Sequence, residues 1–167
     1  MDNRINIDYL KSPYGEFIIG SFKNKLILCD YRFRKMRTTI DKRINEYFNA
    51  DYDENSDDII EETKLQLSQY FSGERQKFTI PLMLAGSGFQ KSVWESLLQI
   101  PYGKTISYKE LSKIMGNEKA IRAVANANGA NAISIIIPCH RVIGSNGELT
   151  GYAGELNVKE LIEIRKN

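Results

Sequence analysis

Ile135-Ile136-Ile137-Pro138-Cys139-His140-Arg141-Val142-Ile143 sets a thiol and the chain's single histidine directly behind an apolar run. A thiolate is a soft nucleophile, and imidazole is the side chain best suited to take a proton near neutral pH. Side by side, the two suit nucleophilic chemistry at sulfur, with His140 drawing the proton from Cys139. Neighbouring side chains on a regular strand point to opposite faces, so the pair cooperates only where the backbone turns or a water bridges them. On the dipeptide alone, a buried cysteine beside a surface histidine is the more ordinary reading. Pro138 favours the catalytic reading, because it confines Ile137 to extended geometry and can stop a strand at the nucleophile.

Two other groupings could serve such a nucleophile. Residues 107–128 read as helix, tight turn, helix, with Leu111, Ile114, Ile121 and Val124 as the inner face and Gly116 at the turn. The second helix surrounds one long cation, Arg122, with Ala123, Asn126, Ala127, Asn128 and Gly129. Small side chains let a helix approach a backbone closely, which suits a narrow nucleic-acid groove. The same pattern also fits a helix packed on another element, with Arg122 in a surface ion pair. Thr150-Gly151-Tyr152-Ala153-Gly154 makes an aromatic loop between glycines that could close over a planar ligand.

The elements that must hold these residues follow from periodicity. Ile5, Ile7 and Tyr9 alternate with polar residues, and turns at Ser12-Pro13-Tyr14-Gly15 and Lys23-Asn24-Lys25 divide the first third into a three-strand meander ending near Phe33. Cys29 falls inside the third strand, as a small core residue. Thr38 to Phe48 has helical spacing, and a second helix begins near Ser56 or Asp57 and stops at Gly73. Phe78 to Leu82 reads as extended, and Ala85-Gly86-Ser87-Gly88 as a linker. Phe89, Val93, Leu97 and Leu98 share a helix face with Trp94 beside it. Ser107 is an N-cap with Glu110 completing a capping box, Glu118 to Ala127 forms the next helix, and Asn157 to Lys166 the last.

With 167 residues, 42% of them apolar, and nine Tyr and seven Phe, the chain can build one ordinary domain or two small ones. A net charge of +2 does not by itself indicate nucleic acid. Arg32, Arg34, Lys35 and Arg37 read as a solvated basic loop, and the acids between Asp51 and Glu62 as a helix start. Met1-Asp2-Asn3-Arg4 does not resemble a secretory leader, and no apolar run approaches the ~20 residues that span a bilayer. Cys29 and Cys139 are far apart and lack zinc spacing. A cytoplasmic protein with free thiols, no metal and no membrane association is expected.

Ile137-Pro138-Cys139-His140-Arg141-Val142 resembles the active-site signature of the O6-alkylguanine-DNA alkyltransferases, the methylated-DNA–protein-cysteine methyltransferases. Phe89-Gln90, Val93-Trp94, Ile100-Pro101-Tyr102-Gly103, Ser107-Tyr108, Arg122-Ala123-Val124, Asn131 and Leu149 to Gly154 fall in family order and spacing. The resemblance covers residues 86–160, with a fainter match over Tyr70 to Leu82. It implies an α+β chain of two domains. Residues 1–85 would be a ribonuclease H-like scaffold with a small antiparallel sheet and helices. Residues 86–167 would be a mostly helical, winged-helix-like domain that binds DNA and accepts the alkyl group.

The resemblance also implies roles. Cys139 would take an alkyl group from O6 of guanine once per molecule, irreversibly and without a cofactor. His140 would be the base, acting through a water, Tyr108 would donate toward N3 of the departing guanine, and Asn131 would brace the turn before the active site. Val142, Gly151, Tyr152 and Ala153 would line the pocket. Arg122 would fill the space left by a base flipped from duplex DNA, with Ser107, Ala123, Ala127, Asn128 and Gly129 beside it in the minor groove. A monomer is expected.

Three positions depart from the family pattern. Lys166 stands where a glutamate usually completes a relay with His140, leaving Glu163 as the substitute and Glu160 as a poorer one. Gly154-Glu155 replaces a Gly-Gly, and Ala125 replaces a glycine. Two other functions stay open at this level. One is a non-catalytic sensor of alkylguanine with the same fold. The other is a cysteine hydrolase built on Cys139 and His140, which lacks an evident oxyanion hole.

Overall fold

The alternation in the first third folds as three antiparallel strands, β1 (Arg4–Ser12), β2 (Gly15–Phe22) and β3 (Lys25–Tyr31), in a computed structural model that describes residues 3–144. Lys23 and Asn24 take φ of 50° and 63°, as a two-residue hairpin turn requires. At Gly20, beside a register shift, an added Cβ would stand 3.1 Å from that of Leu28, so any side chain here would have to push Leu28 back by a few tenths of an ångström. A fourth strand, β4 (Asp51–Asp53), pairs parallel to β1, giving the order β3-β2-β1-β4. The sheet is therefore mixed rather than purely antiparallel. Asp51-Tyr52-Asp53 carries no apolar alternation; besides its backbone pairing, β4 is held by the Tyr52 hydroxyl, which donates to Asp41 at 2.7 Å, and by Arg4, which meets Asp53 at 3.5 Å.

Helix α1 (Arg37–Phe48) buries Ile40 and Ile44 and leaves Tyr47 exposed. Helix α2 (Asp58–Phe71) starts at Asp57, whose carboxylate accepts from the Ile60 amide at 2.9 Å, from Asn6 at 2.8 Å and from the Ser21 hydroxyl. Burial acts to raise the Asp57 pKa, but these donors outweigh it and hold the carboxyl below its usual range. One side chain thus caps the helix and ties it to the sheet, which α2 covers with Ile60, Leu67 and Tyr70.

The basic stretch after β3 is not a solvated loop. Asp30 is fully buried and receives both Arg34 bonds at 3.1 Å and Arg37 at 3.0 Å, while Arg32 lies over the Tyr9 ring and meets Glu16 at 2.6 Å. A carboxylate without water needs paired cations, and the arginines supply them.

The chain divides into two compact units between Ala85 and Gly86. In the second, α3 (Gly88–Leu97) opens with a capping box from Ser87 and Gln90. Its buried face is Val93, Trp94 and Leu97, with Phe89 and Leu98 substantially exposed, so Trp94 is central to the face rather than beside it. Gly86 is required by that indole: an added Cβ would stand 2.6 Å from it. Helix α4 (Tyr108–Ile114) has the expected capping box from Ser107 and Glu110. After Gly116 (φ 78°), a 3₁₀ turn (Glu118–Ala120) leads into α5 (Ile121–Gly129). Leu111 and Val124 are buried, whereas Ile114 and Ile121 are 67% and 40% exposed and do not belong to the inner face. Two short strands, β5 (Ile106–Ser107) and β6 (Val142–Ile143), pair in parallel. Gly151, Tyr152, Ala153, Glu163 and the final helix expected from Asn157 lie outside the described residues.

Candidate active site

The Ile run before Cys139 is buried but is not a strand. Residue 135 sits at φ 72°, and the Ile136 amide donates back to the Ser134 carbonyl at 2.8 Å, a γ-turn with positive φ at its centre. A β-branched residue rarely adopts this conformation, so its surroundings must impose it. Asn131 does so. Its Nδ2 donates to the carbonyls of Ile133 (3.2 Å) and Ile137 (3.0 Å), and its Oδ1 accepts from the Ile133 amide (3.0 Å). These bonds stand in for a neighbouring strand.

A second tight turn follows at Pro138, with φ −80° and ψ 64° and the Cys139 amide donating to Ile137 at 2.7 Å. That is inverse γ-turn geometry. The chain continues as a 3₁₀ turn over Cys139–Arg141, in which the Arg141 amide bonds the Pro138 carbonyl at 3.0 Å. The backbone therefore turns at the nucleophile, the condition that adjacent Cys and His must meet to act together. The Arg141 guanidinium anchors the turn on the Ile100 carbonyl at 2.6 Å and lies over the Tyr102 ring. This anchor escapes a reading by sequence, since an arginine beside a histidine signals only charge.

The β5–β6 pairing sets Ile106 opposite Val142 and Ser107 opposite Ile143. It brings the start of α4, and with it Tyr108, to Cys139. Tyr108 and Asn128 meet there: Asn128 Nδ2 donates to the Tyr108 hydroxyl at 3.2 Å and to the Cys139 carbonyl at 3.3 Å. Burial raises the Tyr108 pKa, the Asn128 bond lowers it and the nearby Cys139 raises it; the net shift is upward, so the phenol keeps its proton at neutral pH. His140 is fully buried. Burial, with Arg141 adding to it, lowers its pKa to about 3, so the ring is neutral at pH 7.

Cys139, His140, Tyr108, Asn131 and Val142 thus share one buried region. Arg122 and Ala123 lie exposed at the start of α5, Gly129 is half-buried, and Ser107 is occupied as the α4 cap. Ala127 and Asn128 are corrections. Both are buried, because α5 turns that face inward, and neither offers its side chain to a groove. The Ala127 carbonyl accepts from the Trp94 indole at 2.8 Å, which satisfies one of the helix's last carbonyls. Exposed Asn126 lies on the outer face with Arg122. Among the described residues, no cluster of three or more His, Cys, Asp or Glu could hold a metal ion.

Comparison with known proteins agrees over both units. Residues 5–84 match the 6-O-methylguanine DNA methyltransferase, ribonuclease-like domain, and residues 88–163 match the 6-O-methylguanine DNA methyltransferase, DNA binding domain. A methylated-DNA–protein-cysteine methyltransferase of Methanosarcina barkeri is 43% identical over 161 residues, covering 96% of each chain. The constitutive enzyme of that name from Bacillus subtilis is 40% identical over 147 residues, covering 86% of this chain and 84% of the other. Among solved structures, Mycobacterium tuberculosis OGT in complex with DNA superposes with a TM-score of 0.80 at 36% identity, covering 98% of this chain and 92% of that one. With a cysteine held at a turn beside a neutral histidine and a protonated tyrosine, and with both halves matched, the chain belongs to the 6-O-methylguanine DNA methyltransferase family.

Proposed function

We propose that this protein repairs O6-alkylguanine in DNA by direct reversal, moving the alkyl group to Cys139 in a single, irreversible turnover. The observation that carries the reading is the convergence of Cys139, neutral His140 and protonated Tyr108 in one buried region behind a helix-turn-helix. The Cys139 thiol gives its proton toward His140, through a water, and the sulfur attacks the alkyl carbon. The C–S bond forms as the C–O6 bond breaks, and the bond pair stays with guanine. Tyr108 donates a proton to the purine as it leaves, which spares it a full negative charge. The products are a thioether and intact guanine, and the step draws on no cofactor.

A base inside a duplex is beyond the reach of a buried thiol, so the alkylated guanine is flipped out. Exposed Arg122 at the start of α5 fills the space it leaves, and the small outer residue Ala123 lets the helix enter the minor groove. The protein acts as a monomer on double-stranded DNA. Two buried cysteine thiols suit a reducing cytoplasm, and no helix among the described residues is long and apolar enough to cross a membrane.

The test is the intact mass of the protein after incubation with a duplex containing O6-methylguanine. One methyl added to a Cys139 peptide, and none in Cys139→Ser, is the expected result. Tight binding without a mass change would instead identify a damage sensor.

A further inference from the structure

We infer that Asn128 is a positioning residue of the transfer reaction, which turns the Tyr108 hydroxyl into a donor aimed away from α5 and fixes it relative to Cys139. This rests on the alkyl-transfer reading and adds to it a residue whose helix position suggested a role at DNA. Asn128 is 1% exposed, and its Nδ2 faces two oxygens, the Tyr108 hydroxyl at 3.2 Å and the Cys139 carbonyl at 3.3 Å. A carbonyl can only accept, so the amide presents its nitrogen, not its oxygen, to this pair. One N–H is then committed to a lone pair of the Tyr108 oxygen. The phenol's own hydrogen must point elsewhere, and a hydroxyl that accepts a bond is a stronger donor in the next one.

The other end of the amide supports the inference. Asn128 Oδ1 is buried and has no hydrogen-bond partner among the described residues. A leucine would fill the same volume without leaving a polar atom dry, so packing alone does not account for an asparagine here. Its nitrogen does. The two bonds also tie the end of α5 to the nucleophile's own backbone, so leaving-group donor and sulfur are held by one side chain.

The test is a double-mutant cycle with free O6-benzylguanine as substrate, read as the rate of benzyl transfer to Cys139. Asn128→Leu slows transfer by roughly tenfold to a hundredfold, less than the roughly 10²–10³ typical of deleting a donor outright. In a Tyr108→Phe background the same substitution costs less than about twofold, because the group it acts through is gone. Alkylation of Cys139 by iodoacetamide, whose iodide leaves without a proton, stays within about threefold of wild type. Asn128→Asp, close in shape, would turn the phenol hydrogen toward itself and must slow transfer at least as much as Leu; it decides the matter if Asn128→Leu does not fold. Equal losses with and without the Tyr108 hydroxyl, or an equal loss toward iodoacetamide, would overturn the role of Asn128. A wild-type protein that takes no benzyl group onto Cys139 would instead overturn the alkyl-transfer reading.

Discussion

Burial denies His140 its positive charge. With its pKa lowered from 6.5 to about 3, the folded protein leaves the ring neutral over a range in which the unfolded chain would protonate it. Its contribution to stability is therefore constant above about pH 6.5 and is lost progressively as pH falls toward 3. Comparing urea denaturation at pH 7.5 and pH 4.5, wild type should lose roughly 3 kcal/mol more than His140→Asn, which cannot charge. Equal losses would show that the histidine is not held neutral. Burial, with Asp30 beside it, pushes the Cys29 thiol well above its usual range. A slow thiol reagent should therefore label Cys29 only on unfolding. Labelling of Cys29 in the native protein would contradict its place in the core of the sheet.

Elements explain what individual residues cannot. Helix α5 is two-faced: Arg122, Ala123 and Asn126 look outward, while Val124, Ala127 and Asn128 look inward to the site. Arg122→Ala should slow repair of duplex DNA by roughly tenfold or more, the scale set by an unstacking cost of a few kcal/mol, and leave reaction with free O6-benzylguanine nearly unchanged. Equal losses on both would remove the finger role. Asn131→Ala removes three hydrogen bonds to the backbone around a residue held at φ 72°. It should cost about 2–4 kcal/mol in denaturant unfolding and slow Cys139 transfer as well. Caps and helix periods made α1, α2 and α4 legible in the sequence, because those signals are local. The turns at Ile135 and Pro138 were not: three isoleucines before a proline look like a strand. The outcome was settled by the Asn131 side chain, whose bonding becomes visible only once the chain has folded around it. Asn128 was misplaced for a related reason, since helical spacing shows which residues share a face but not which face is covered.

The whole molecule joins two compact units of unlike construction, one led by a sheet and one by helices around the reactive thiol. The first owes its order partly to charge. Asp30→Ala leaves Arg34 and Arg37 without their buried carboxylate and should destabilise that unit by about 3–5 kcal/mol, read from far-ultraviolet circular dichroism in denaturant. Composition could not foresee this, because four basic residues in six look solvated until a buried acid is found beneath them. The second unit holds the chain's one tryptophan, Trp94, sealed in the interior with its indole nitrogen on the Ala127 carbonyl. That bond makes the protein its own fluorophore-labelled sensor. Emission comes from a ring touching α5 one residue before Asn128, so a shift in intensity or colour on alkylation would report the state of the recognition helix without any dye. It would also time the single turnover directly, in the same cuvette and from the native chain.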